Sequence, residues 1–229
     1  MSETLERTDA EVASKPGTLV VICSPKGGTG KTSLARNLLV AAGQADIPSV
    51  GIDFDQQGSL AKWHARRVKT REAYPTFVPV DVVPGRLTNW RGAIKGLAWA
   101  RLIVADLPPT VEHDLPMVTA LCAAADFVLV PTSATADDLD SVLPWMRTLQ
   151  KAGCSAAFVM NRVNRQTKTF ASARTKLIKT GAICPIEIPS LEDMHNNVPV
   201  GLSLLDSAKS RGLEPVEGVW AFVRREARL

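Results

Sequence analysis

The sequence predicts an α/β fold: a mostly parallel central sheet with helices on both faces. Three observations predict it. Short, continuously apolar runs alternate with stretches of helical spacing along most of the chain, the pattern of strands buried on both sides. The first such run, Leu19-Val20-Val21-Ile22-Cys23, leads straight into a glycine-rich turn and then a helical stretch. Two later runs close on carboxylates, Asp53 and Asp106, at the strand ends where such sheets place their chemistry. At 229 residues the chain can bury one substantial core. Residues 1–17, polar and containing Lys15-Pro16-Gly17, are expected to be a flexible N-terminal arm, with one domain over 18–229.

The turn is Ser24-Pro25-Lys26-Gly27-Gly28-Thr29-Gly30-Lys31-Thr32-Ser33. Its glycines let successive backbone N–H groups face phosphate oxygens with no Cβ in the way. The helix that follows, through Leu34–Val40, adds its partial positive charge. Lys26, Gly27, Gly28, Thr29, Gly30, Lys31, Thr32 and Ser33 are therefore the candidate phosphate-binding residues. Lys31 is placed to reach the β- and γ-phosphates, and the Thr32 hydroxyl to ligate Mg²⁺. The fold class narrows to a P-loop NTPase.

The general pattern G-x-x-x-x-G-K-[ST] asks for glycine where this chain has Pro25, and a second lysine, Lys26, stands directly before Gly27. This K-G-G-x-G-K-[ST] form resembles the deviant Walker A motif of the ParA/MinD family, closest to small ParA-type partition ATPases without an N-terminal helix-turn-helix. The resemblance covers most of Leu19–Asp206 and is strongest at Lys26–Ser33 and Asp53–Ser59. It implies that Lys26 reaches across an ATP-sandwich homodimer to the partner's nucleotide, so that Lys26 and Lys31 are both catalytic.

Ser49–Asp55 reads as the second strand, and Asp53 and Asp55 share a face if the strand persists. Asp53-Phe54-Asp55-Gln56-Gln57-Gly58-Ser59 resembles the family's D-x-D-P-Q-G-[NS], with Gln56 in place of proline. That implies that Asp55 orients the attacking water and that Asp53 supports the Mg²⁺ shell; the residues alone also suit helix-capping carboxylates. Leu60–Arg71 reads as a basic helix, Thr76–Val80 as a proline-containing strand near an edge, and Arg86–Ala98 as a helix. Arg101–Asp106 reads as a buried strand. After a phosphate loop its last residue, Asp106, is the expected Walker B carboxylate holding a water of the Mg²⁺ shell. Asp106-Leu107-Pro108-Pro109 resembles the family's D-x-P-P.

Pro116–Ala124 reads as helix, Phe127–Thr132 as strand, and Ala136–Lys151 as a helix whose Asp137, Asp138 and Asp140 are capping and surface charge. Ser155–Met160 and Ile183–Ile188 are read as further strands, and Leu213–Leu229 as a terminal helix. Asn161 stands at a strand end where the family often places an asparagine near adenine. Ile188–Gly201 resembles its second base-contacting segment, with Leu191 near the usual arginine. The guanine-reading N-K-x-D is absent, so the implied cofactors are ATP and Mg²⁺.

Charge is balanced overall, 27 Lys and Arg against 23 Asp and Glu for a net +4, but unevenly placed. No acidic residue occurs between Asp140 and Glu187, an interval carrying Arg147, Lys151, Arg162, Arg165, Lys168, Arg174, Lys176 and Lys179, the last six of which are the candidate DNA contacts. Charge alone leaves two readings, a solvated face or a surface for a polyanion, DNA foremost, held through its phosphates. The family resemblance favours DNA bound without sequence preference. Cys23, Cys122, Cys154 and Cys184 form no C-x-x-C pair and read as buried free thiols of a reducing compartment, with no metal or Fe–S site. No apolar run approaches the roughly 20 residues of a membrane span, and no signal peptide opens the chain. The expectation is a cytoplasmic, nucleoid-associated protein. Val216, Val219, Trp220 and Val223 form an apolar stripe for which core packing is preferred to MinD-like membrane anchoring.

These readings imply a slow, partner-stimulated ATPase that segregates plasmid or chromosomal DNA with a ParB-like adaptor. The alternatives keep the ATPase and change the cargo to a carboxysome, a chemoreceptor cluster or a conjugation relaxosome.

Overall fold

A computed structural model describes residues 17–109 and 114–229, so the expected arm lies, Gly17 apart, outside the described residues. In order the elements are β1 (Thr18–Ile22), α1 (Lys31–Gln44), β2 (Ser49–Asp53), α2 (Ser59–Ala73), β3 (Asp81–Pro84), α3 (Trp90–Lys95), β4 (Leu102–Asp106) and α4 (Leu115–Ala124). They continue with β5 (Phe127–Thr132), α5 (Ala136–Lys151), β6 (Ala156–Val163), α6 (Lys168–Thr180), β7 (Ala182–Ile183), β8 (Ile188–Pro189), α7 (Asp193–Asn196) and α8 (Leu213–Glu226).

Strand order is β3-β2-β4-β1-β5-β6-β7, with β8 also on β6, and every pairing among the described residues is parallel. Parallel strands end on one edge, and the register sets Ile22 and Asp53 beside Asp106 on either side. The phosphate loop and both carboxylate-bearing ends therefore converge by topology alone.

Alternation along the strands builds two cores. Leu19, Val21 and Cys23 face Val118, Leu121, Trp145 and Leu177 of α4, α5 and α6, while Val20 and Ile22 face Leu34, Leu38, Trp63 and Val219 of α1, α2 and α8. The stripe of α8 is core: Val216, Val219 and Val223 are at most 2% exposed, which leaves it no apolar face for lipid. Among the described residues no helix is long and apolar enough to cross a membrane. The Cys23 and Cys122 sulfurs lie 3.7 Å apart as free thiols, and the Trp145 indole N–H donates to Cys23.

Three sequence expectations are corrected. The strand expected at Thr76–Val80 forms instead at Asp81–Pro84, on the edge. The reason is local: the Arg71 guanidinium donates to the Phe77 carbonyl, and that of Arg67 donates twice to the Val78 carbonyl, occupying acceptors a ladder would use. The helix expected at Arg86–Ala98 is confined to Trp90–Lys95 after a short 3₁₀ turn at Leu87–Asn89. The strand expected at Ile183–Ile188 splits into β7 and β8, two residues each, with Pro185 between them.

Candidate active site

The phosphate loop closes on Gly30, whose φ of +95° is left-handed and whose missing Cβ leaves room for the Asn161 amide. α1 starts at the next residue, so its free N–H groups face the loop. Lys31 is buried, and its ammonium donates to the Ser24 carbonyl at 3.3 Å and the Lys26 carbonyl at 2.9 Å. Burial lowers its pKa, against the pull of Asp106 and Asp55. Lys26 points the other way. It is 38% exposed, with its ammonium 3.7 Å from Asp137 and 4.0 Å from Asp138 at the start of α5. Surface pairs of this length contribute about 0–1 kcal/mol, so Lys26 is held only loosely.

Asp106 is 1% exposed, and neither carboxylate oxygen has a hydrogen-bond partner; the Thr29 and Ser33 hydroxyls share that condition. Burial pushes its pKa up to about 7; the Thr32 hydroxyl beside it is the larger opposing influence, Asp53 adds to the rise and Lys31 opposes it. Buried acceptors of this kind call for a donor or a cation. Among the described residues no cluster of three His, Cys, Asp or Glu side chains can hold a metal. A Mg²⁺ ion would thus rely on the Thr32 hydroxyl, nucleotide phosphates and a water held by Asp106, and the buried Asp106, with the Thr32 hydroxyl close by but in no well-formed hydrogen bond to it, fits that arrangement. When bound, Mg²⁺ would neutralise phosphate charge.

Asp53 differs. Its two oxygens accept the backbone N–H groups of Asp55 at 3.1 Å and Ala61 at 2.9 Å. Burial raises its pKa, and those amides limit the rise. β2 stops at Asp53, so Asp55 does not share its strand face; Asp55 sits half-buried in the following turn, accepting the Gln57 N–H at 2.9 Å. Through these two amides Asp53 holds this turn and the start of α2.

The end of β6 grips the loop from outside. The Asn161 amide donates to the Thr29 carbonyl and the Arg162 guanidinium to the Gly28 carbonyl, each at 2.8 Å. Arg162 also lies 3.3 Å from the His195 ring. Beside them a cavity of about 20 Å³ is bounded by Ser33, Asn161, Leu191, Met194 and His195. Burial lowers the His195 pKa, reinforced by Arg162 and Arg36. Arg36, buried in α1 near Asp106, has its guanidinium pKa lowered to about 10 by burial. Sequence reading missed His195 and Arg36, since neither belongs to a spacing pattern; it read Asp137 and Asp138 as capping and surface charge, which did not reveal Lys26 beside them.

The basic interval is thinner in space than in sequence. Glu187, 6% exposed, accepts Arg174 at 3.0 Å and Arg165 at 2.6 Å. With Arg162 turned to the loop, the exposed cations of α6 are Lys168, Lys176 and Lys179, which have no acidic partner among the described residues.

A parallel sheet whose central strand runs into such a loop, with a buried carboxylate on the neighbouring strand end, defines a P-loop nucleotide-binding protein. The model of the CobQ/CobB/MinD/ParA nucleotide binding domain matches residues 20–202, and the chain belongs to that family. It is 24% identical over 180 residues to Maintenance of carboxysome distribution protein A of Halothiobacillus neapolitanus, covering 74% of this chain and 78% of that protein. The fold is similar to that of the septum site-determining protein MinD from Pyrococcus horikoshii OT3, complexed with Mg-ADP. That comparison gives a TM-score of 0.74 at 18% identity, over 92% of this chain and 97% of the other. The fold also resembles a plasmid partition protein from Borrelia burgdorferi B31 bound to AMPPNP, with a TM-score of 0.71 at 16% identity over 91% and 99% of the chains.

Proposed function

We propose that this protein is a ParA-type ATPase that pairs through an ATP-sandwich homodimer and positions a cargo along DNA. The observation that carries this reading is the division between two lysines of one loop: Lys31 is buried toward the phosphate site, and Lys26 stands outward, loosely held, where a second subunit can be met. Thr32 and Asp106 then serve Mg²⁺, Asp53 holds the 55–61 turn, and Asp55 orients the attacking water. Asn161 contributes by fixing the loop at Thr29. Turnover in such a switch is slow until an adaptor completes the site.

Asp55→Ala is expected to lower turnover at least about 100-fold, the scale of a lost water-orienting group, while ATP-dependent dimers persist. Phosphate release and size-exclusion chromatography check this, and wild-type turnover would remove Asp55 from its role.

The DNA surface in this reading is the lysine set Lys168, Lys176 and Lys179, with Arg162, Arg165 and Arg174 as supports around it. Two protomers would present six lysines, for a slope of log K against log salt of roughly −5. Titrating unrelated duplexes without nucleotide, with ADP and with ATP tests the switch. Binding with ATP and no sequence preference is expected, and Lys168, Lys176 and Lys179→Glu should lose it while keeping ATP. Retained DNA affinity in that variant would refute the surface.

A segregating DNA molecule with a ParB-like adaptor is the first cargo reading. Carboxysome positioning is the second, favoured by the relative whose name concerns carboxysome distribution.

A further inference from the structure

α2 is fastened along one stripe to a distant part of the chain. Trp63, Arg66, Arg67 and Thr70 fall at spacings that share a helix face. All four donate to carbonyls of one segment: Trp63 to Leu202 at 3.2 Å, Arg66 to Val198 at 3.2 Å, Arg67 to Gly201 at 3.3 Å and Thr70 to Val200 at 2.6 Å. Arg67 also forks onto Asp206 at 2.7 and 3.0 Å, both side chains at most 2% exposed. Gly201, at φ +74°, lets the segment lie flush on the helix, since a Cβ there would run into the Arg67 backbone. A buried ion pair adds little net stability over apolar packing, but it fixes one register.

Each end of this assembly touches a different part of the site. The start of α2 is tied to Asp53 through the Ala61 N–H, beside Asp55. The 198–206 segment follows directly from Met194 and His195, which bound the cavity next to Asn161. That cavity, bounded on one side by Ser33 of the phosphate loop, has room for about one water, so a base seated there would have to displace this wall.

Resting on the nucleotide-site reading above, we infer that α2 carries base occupancy to the water-side turn. Arg67, with Trp63, Arg66 and Thr70, is a positioning residue that makes the 194–206 wall and the Asp53–Gly58 turn move as one body. The base thus contributes to the rate of hydrolysis as well as to affinity.

The test compares kcat and KM for Mg·ATP and for Mg·ribose 5-triphosphate, which lacks only the base, in wild type and in Trp63→Phe/Thr70→Val, with Thr70→Val alone as the milder variant at the half-exposed end of the stripe. Wild type is expected to turn over ATP with a kcat roughly tenfold above the base-free compound; Thr70→Val shrinks that ratio at an unchanged melting temperature, and the double variant, whose buried Trp63 also costs stability, shrinks it below about threefold. A merely structural role would lower both kcat values together and leave the ratio intact, which overturns the inference, as does a wild-type ratio near one. Wild type that neither binds nor hydrolyses either compound refutes the nucleotide-site reading itself.

Discussion

Lys31→Ala is expected to weaken Mg·ATP binding by roughly a hundredfold or more. A charge-assisted hydrogen bond to phosphate is worth about 1.5–3 kcal/mol, and the lysine at this loop position serves two phosphate groups. Its ammonium already sits among loop carbonyls, 2.9 Å from that of Lys26, so it reaches phosphate with little ordering cost. Truncation leaves the glycine cradle and the helix N-terminus in place, so a residual affinity is expected. Calorimetric titration of the two proteins with Mg·ATP measures the difference. Unchanged affinity would overturn the nucleotide site, because no other side chain of α1 or the loop is placed for that task.

Asp106→Asn is expected to stabilise the ligand-free protein above pH 7 while abolishing turnover. The carboxyl is pushed from an ordinary 3.8 up to about 7 by burial, so the folded state holds a proton that the unfolded state has released. Stability of the wild type therefore falls as pH rises from about 4 to about 7, and is flat above that. At about 1.36 kcal/mol per unit, the cost is at most about 4 kcal/mol. Asparagine cannot ionise, so the variant lacks the decline. Denaturant unfolding at pH 5 and pH 8 without nucleotide resolves it: near-equal stabilities of wild type at the two pH values, or no gain in the variant at pH 8, would refute the account. Loss of turnover in the same variant would tie the buried charge to function, a strained group kept for the cation it meets.

The parts of the molecule readable in advance were those set by neighbours in the chain. Strand, glycine turn and lysine follow one another within Leu19–Lys31, so the phosphate loop needed no tertiary information. Asp106 followed from an apolar run placed after that loop, and the parallel register then brought Asp53 beside it. What could not be read depends on residues that meet only after folding. The Thr76–Val80 expectation failed because guanidiniums from α2 take the carbonyls of Phe77 and Val78. Asp53 and Asp55 parted because β2 ends at Asp53, whose oxygens take the amides of Asp55 and of Ala61 in the next helix. The pairing of Arg67 with Asp206 joins residues 139 positions apart and has no local signature. Glu187 closed the acid-free interval in sequence, yet nothing there showed that it folds back onto Arg165 and Arg174.

That last pairing decides what kind of grip α6 can offer. Arginine forks match the paired acceptors of guanine and hold phosphates by two bonds at once. With Arg165 and Arg174 drawn onto Glu187, the outer face presents lysines, compact and hydrated charges on long, freely turning stems. Contacts of that type are indifferent to base order, exchange readily from one phosphate to the next, and loosen steeply as salt rises. A polymer lying on this helix would be a track with shallow footholds, one on which the molecule steps rather than settles.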